Sequence, residues 1–282
     1  MIENHRKAGC LTALIPPPRW ILLLLLQILS FQISESKTML SKVRAISFDV
    51  TGTLLVHKYP IMDTYANAAV WARLANPPSS LELKPAFKDA YKQRLLESPY
   101  FGAKEGISNR EWWKVTVKVA LANTGRKYSE VEIDRFFRRV YSHYGSSDGY
   151  ELLPDAVPIL NWLKSQRKYS LGITTNSPVR TIETVLPMIG IHDYFQWSVC
   201  CQDIVAEKPE KLIFDEAFER AKFWTPDLKR DELLHIGDNM AADYCGARAA
   251  GFQALLLDRS GNPRVTVYQV MLTSFILVFL MH

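Results

Sequence analysis

The chain has 282 residues, 48% of them hydrophobic and 22% charged, an ordinary globular balance that argues against general disorder. Its net charge of +5 comes from 34 basic and 29 acidic residues spread along the chain, and the tightest basic groups, Arg135/Arg138/Arg139 and Lys229/Arg230, are too short for a nucleic-acid-binding surface. Cys10, Cys200, Cys201 and Cys245 show no CxxC spacing and fall far below the density of a disulfide scaffold, so they read as reduced thiols in an intracellular, cytoplasmic setting.

In chain order, residues 1–38 form an atypical N-terminal extension in which Arg6, Lys7 and Arg19 precede the apolar run 21–29. That run has the outline of a signal peptide or short anchor and is short for a spanning helix. A strand is predicted at 43–48. From 57 to 150 no strand pattern is legible and several helices follow one another, one of them opening with Ser129 and Glu132 as a capping box ahead of Phe136, Phe137, Val140 and Tyr141 at helical spacing. The segment is expected to be an inserted helical domain, entered and left through linkers at 57–60 and 145–154. Beyond it, predicted strands at 169–174, 195–199, 233–236 and 252–257 alternate with predicted helices at 155–166, 179–188, 210–222 and 240–250. This alternation predicts an α/β fold with a doubly wound, mostly parallel, Rossmann-like sheet, its catalytic core spanning 39–56 and 151–260. Residues 261–282 form an apolar tail, interrupted by Thr266, Gln269, Thr273 and Ser274. Membrane attachment through these ends is the less favoured reading; a soluble domain is expected.

Four polar clusters fall just past the ends of predicted strands or in a loop entering a helix: Asp49-Val50-Thr51-Gly52-Thr53, Thr174-Thr175-Asn176, Glu207-Lys208-Pro209 and Gly237-Asp238-Asn239 through Asp243. Open parallel sheets place their ligands at the carboxyl ends of strands. Each cluster alone has an ordinary explanation. Asp49 could cap a turn, Lys208 could be a solvated charge, Asp238 and Asp243 could complement a helix dipole, and Asn176 or Ser177 could cap the next helix before Pro178. Their order along the chain is the informative feature.

That order, acidic loop, helical insert, threonine, lysine, acidic loop, resembles the haloacid dehalogenase-like superfamily over residues 43–258. Asp49 to Leu54 together with Glu111-Trp112-Trp113 resembles, within it, the rhythmically expressed gene 2-like group. The resemblance implies a helical cap inserted after the first strand and a phosphatase for a small phosphorylated metabolite. Asp49 would attack phosphorus and form an aspartyl-phosphate. Mg²⁺ would be held by Asp49, the Thr51 carbonyl and Asp238, with Asp243 supporting; Gly52, Thr175, Asn176 and Lys208 would receive the phosphoryl group. Trp112 and Trp113 would either line the cap's face toward the site or serve as core.

Two departures stand out. Superfamily phosphatases carry a second Asp two residues after the nucleophile for acid-base work, and here that residue is Thr51, as in the phosphorylated loop of P-type pumps; slow turnover is expected. The group's members begin near Met39 and continue beyond Leu257 with further soluble structure, so both ends of this chain are expected to be atypical. The alternatives are a catalytically impaired module that binds a phosphorylated ligand or protein, and a 2-haloacid dehalogenase, which needs no Mg²⁺.

Overall fold

The computed structural model describes residues 41–257, so the apolar runs at 21–29 and 265–281 lie outside the described residues. Its strands are β1 (Ala45–Phe48), β2 (Leu55–His57), β3 (Tyr150–Leu152), β4 (Ser170–Thr175), β5 (Trp197–Cys200), β6 (Leu233–Gly237) and β7 (Gln253–Leu256). Five of them pair in parallel in the order β5-β4-β1-β6-β7, with β1 in the centre. Each predicted core strand is present, shifted by at most a few residues.

The pleat sorts these strands into two apolar faces. Ile46, Phe48, Leu171, Ile173, Leu234, Ile236 and Leu255 pack with Ala156, Leu160 and Leu163 of helix Ala156–Ser165. On the opposite face Ala45, Trp197, Val199, Leu233 and Ala254 pack with Ile213, Phe214, Ala217 and Ala221 of helix Lys211–Trp224. A sheet covered on both faces explains why its strands read as short continuous apolar runs rather than alternating ones.

Residues 61–143 fold into helices α1 (Ile61–Trp71), α2 (Ser80–Glu97), α3 (Asn109–Ala122) and α4 (Glu130–His143). They bury a separate cluster including Tyr65, Leu83, Val117, Leu121, Phe136 and Phe137. The predicted capping box at Ser129 and Glu132 is formed, and a second one opens α2 at Ser79 and Glu82. Trp112 is core, fully buried with its indole N–H donating to the Ser98 carbonyl at 2.7 Å.

Two expectations need correction. The linkers at 57–60 and 145–154 are not plain loops: β2 and β3 pair antiparallel, with Leu55 opposite Leu152 and His57 opposite Tyr150. Strands of three residues are too short to show a period, and their pairing joins segments far apart in sequence. The helices at 179–188 and 240–250 are not regular either; each opens with a π-helical turn, Thr181–Val185 and Met240–Cys245, before a single α-turn. Among the described residues no helix is long and apolar enough to cross a membrane.

Candidate active site

Asp49 continues β1 by one residue: its N–H donates to the Ile236 carbonyl at 2.8 Å, which fixes its position at the carboxyl edge of the sheet. The chain then turns tightly, with the N–H groups of both Leu54 and Leu55 donating to the Val50 carbonyl. Gly52, at φ +90°, has a backbone conformation that side-chain-bearing residues rarely adopt, and a Cβ there would stand 2.3 Å from Asp238 Oδ2. Glycine therefore lets the β1 loop close against the β6 loop. Gly237 does the same for Asp243, whose Cγ would be 2.2 Å from an added Cβ.

Into this edge reaches Lys208, whose side chain is almost wholly buried. Its ammonium donates to Asp49 Oδ1 at 2.7 Å, to Asp243 Oδ1 at 2.6 Å and to the Thr174 carbonyl at 2.8 Å. Burial opposes its charge, but the carboxylates of Asp49 and Asp243 outweigh burial and hold the ammonium above its ordinary value. Thr175 Oγ1 donates to Asp49 Oδ1 at 3.1 Å, and Thr53 Oγ1 to Asp49 Oδ2 at 3.4 Å. The amide of Asn176 is engaged with the backbone of Lys208: Oδ1 accepts from its N–H at 2.7 Å and Nδ2 donates to its carbonyl at 2.9 Å.

Asp49, Asp238 and Asp243 each offer a carboxylate oxygen, and these lie within 4.8 Å of one another. Burial opposes the charge of Asp243 as well, yet hydrogen bonds from His235 and Lys208 and the Lys208 charge hold its carboxyl well below the usual range. For Asp238, partial burial and the charges of Asp49 and Asp243 act together and raise it. Asp243 takes Lys208 and His235 on Oδ1 and the Asn239 N–H on Oδ2 at 2.9 Å, and Asp49 takes Lys208 and Thr175 on Oδ1 and Thr53 on Oδ2, so Asp238 is the freer carboxylate. Three clustered acids with hard oxygen donors, one of them raised by its like-charged neighbours, suit a divalent cation such as Mg²⁺. Asn239, rather than Asp238, caps the following turn through the N–H groups of Ala241 and Ala242.

Thr51 is exposed, and its hydroxyl lies 3.4 Å from that of Ser177. Of the two residues that could cap the next helix, Asn176 is engaged with Lys208 and the Ser177 hydroxyl faces Thr51. Sequence reasoning missed a buried row beneath the site: Ser47 Oγ lies 2.7 Å from Thr174 Oγ1 and 2.9 Å from His235 Nδ1, and His235 Nε2 lies 3.1 Å from Asp243 Oδ1. Burial pushes the His235 imidazole below its ordinary value. The available signal was a polar residue in the middle of an apolar strand, Ile46-Ser47-Phe48 and Leu234-His235-Ile236, since a polar group in a doubly covered sheet requires a partner. Above the site a cavity of about 550 Å³ extends into the helical insert and is lined by Asp49, Thr51, Thr175, Asn176, Lys208, Asp238 and Asp243 at one end.

A Rossmann-like sheet with a helical insert after its first strand, and an acid, threonine, lysine and two further acids gathered at its edge, is the architecture of a hydrolase with a helical insert. The model of the haloacid dehalogenase-like hydrolases matches residues 43–251, and the chain belongs to that family. It is 27% identical over 224 residues to haloacid dehalogenase-like hydrolase domain-containing protein 3 of Danio rerio, covering 79% of this chain and 88% of that one. It is 28% identical over 225 residues to the rhythmically expressed gene 2 protein of Drosophila melanogaster, covering 77% and 84%. Among solved structures, the HAD-hydrolase YfnB of Bacillus subtilis bound to magnesium matches with a TM-score of 0.55 at 20% identity, over 78% of this chain and 89% of that one. A 2-haloacid dehalogenase of Pseudomonas syringae matches with a TM-score of 0.55 at 22% identity, over 78% and 88%. At these identities the structural likeness is one of fold.

Proposed function

We propose that the chain is a Mg²⁺-dependent phosphatase for a small phosphorylated metabolite, acting through an aspartyl-phosphate at Asp49. The observation that carries this reading is the convergence of Lys208 and Thr175 on one oxygen of Asp49, at 2.7 and 3.1 Å, beside Asp238 and Asp243. In this reading residues 39–56 and 151–260 are the catalytic core and 57–150 the cap. Asp49 attacks phosphorus, the ester P–O bond breaks, and its electron pair leaves with the alcohol oxygen, which takes a proton from water. Water then attacks the acyl-phosphate, releasing inorganic phosphate and restoring the carboxylate. Lys208 and the Thr175 hydroxyl stabilise the negative charge on the phosphoryl oxygens, Gly52 lets the backbone come close to them, and the Asn176 side chain holds the Lys208 loop in place beside them. Asp49, the Thr51 carbonyl and Asp238 would hold Mg²⁺, with Asp243 in support, and the bound ion supplies charge neutralisation between carboxylate and phosphate.

A second reading, a module that holds a phosphorylated ligand and turns it over little, is favoured by one observation: the acid-base carboxylate is replaced by Thr51, whose hydroxyl lies 3.4 Å from that of Ser177. Exposure to acetyl phosphate and Mg²⁺ followed by peptide mass spectrometry separates the two. A phosphoryl adduct on the peptide bearing Asp49 is expected; an unmodified Asp49 in protein that binds phosphate would establish the binding module.

A further inference from the structure

The cavity of about 550 Å³ lies within the roughly 300–1,000 Å³ typical of pockets that enclose a whole small ligand. A phosphoryl group fills only its Asp49 end, and the walls contributed by the helical insert differ sharply from that end. Phe87, Tyr91 and Trp113, from α2 and α3, lie with ring planes 11° to 24° apart and centroids 5.7 to 6.4 Å apart. Their near-parallel planes suit a flat guest by offset stacking. Beside them stands Asn109, only 8% exposed, with its amide nitrogen lacking a hydrogen-bond partner among the described residues. Its Oδ1 accepts from the Tyr141 hydroxyl at 3.4 Å, so the amide's oxygen end is engaged and its buried NH₂ end is left over. Buried donors in folded proteins are almost always paired, and a group bound in the cavity this residue lines could complete the set.

Charge narrows the choice. The carboxylates lining the cavity, Asp49, Asp238 and Asp243, all belong to the phosphate end. Arg180 also lines it, but its guanidinium lies 3.7 Å from the centroid of the Tyr141 ring and donates to the Tyr141 carbonyl at 2.7 Å. An ammonium-bearing guest would meet that cation. A second anionic group would find one guanidinium that is already engaged.

We infer that the substrate's non-phosphate part is an uncharged, flat ring bearing a hydrogen-bond acceptor, seated against Phe87, Tyr91 and Trp113 and received by Asn109. The inference rests on the phosphatase reading for its phosphate end. It assigns selection among phosphate esters to the ring wall and to one amide, with no charged residue of the cap taking part.

The test is titration calorimetry with full-length Asp49→Asn protein and Mg²⁺, using benzyl phosphate, 3-pyridylmethyl phosphate, ethyl phosphate, phosphocholine and 2-phosphoglycolate, alongside kcat/KM of the parent on the same esters. All five are alkyl esters, so ring preference is not confused with the better leaving group of an aryl ester. Benzyl phosphate is expected to bind at least tenfold more tightly than ethyl phosphate, and the pyridyl ester more tightly still. Trp113→Ala should collapse the benzyl-to-ethyl ratio, and Asn109→Ala should remove the gain of pyridyl over benzyl. Equal binding of benzyl and ethyl phosphate, or preference for phosphocholine or 2-phosphoglycolate, overturns the inference, and the parent panel decides the matter even where a variant does not fold. Tight binding of the ring esters with no hydrolysis by the parent would sink the phosphatase reading while supporting the assignment of the cavity.

Discussion

Asn176 grips the backbone of Lys208 at both ends of one peptide unit pair, accepting from its N–H at 2.7 Å and donating to its carbonyl at 2.9 Å, and so couples the loop after β4 to the loop that delivers the lysine. These two bonds hold the Lys208 main chain where its side chain reaches Asp49. Asn176→Ala should leave both backbone groups to find water, a loss of about 1–3 kcal/mol for part-buried groups. The expected result is a roughly tenfold to hundredfold fall in kcat/KM on p-nitrophenyl phosphate with little change in Mg²⁺ requirement; unchanged kinetics in folded protein would show that the lysine is positioned otherwise.

Asp49→Asn removes the attacking oxygen while keeping the shape. Turnover should fall by more than about a thousandfold, equivalent to about 4 kcal/mol in the barrier, with the circular dichroism spectrum retained. Asp238→Asn should act differently, raising the Mg²⁺ concentration needed for half-maximal rate as well as slowing turnover. A variant whose Mg²⁺ dependence matched the parent's would remove Asp238 from the metal site.

Thr51→Asp tests whether a missing carboxylate limits the rate. A base beside the acyl-phosphate should speed its hydrolysis, and ~1.4 kcal/mol of added transition-state stabilisation is already tenfold. The new charge stands close to Asp49 and Asp238, which opposes the gain. The acceleration is expected on alkyl phosphates and little or none on activated aryl phosphates; single-turnover rates unchanged on both would place the bottleneck elsewhere.

His235 is buried between Ser47 and Asp243. Replacing it with Leu removes one hydrogen bond from the Ser47 hydroxyl, which keeps Thr174, and one from Asp243 Oδ1, which keeps Lys208, and should destabilise the protein by about 1–3 kcal/mol. Chemical denaturation measures this directly. A stability equal to the parent's would show that the buried row is dispensable.

The capping boxes give the helical insert an acid-sensitive stability. Glu132 is held down to about 2, first by the N–H of Ala75 and then by the N–H and hydroxyl of Ser129; Glu82 is held down to about 2 by the N–H of Ser79, then by Arg126 and the Ser79 hydroxyl. A depressed carboxylate adds stability that is complete above its unfolded value of 4.5 and is lost as pH falls toward 2. Glu132→Gln can still close the box but cannot titrate, so the thermal midpoint of the variant should fall less than the parent's between those limits. Parallel curves for the two proteins would contradict the assignment.

The core strands, the helical insert, the capping box at Ser129 and the ordered set Asp49, Thr175, Lys208, Asp238 and Asp243 were legible in the sequence because each leaves a local mark. A doubly covered strand is mostly apolar, a helix start must satisfy its free N–H groups, and an acid or lysine past a strand end breaks an apolar run. What those residues do to one another was decided only by the tertiary structure. The meeting of Lys208 with both Asp49 and Asp243, the use of Asn176 on the Lys208 backbone, the pairing of β2 with β3 and the row from Thr174 through Ser47 to His235 all join segments distant in sequence. Such contacts depend on strand order and register, which place Ser47 directly opposite His235, and a short segment carries no record of the strand that will lie beside it.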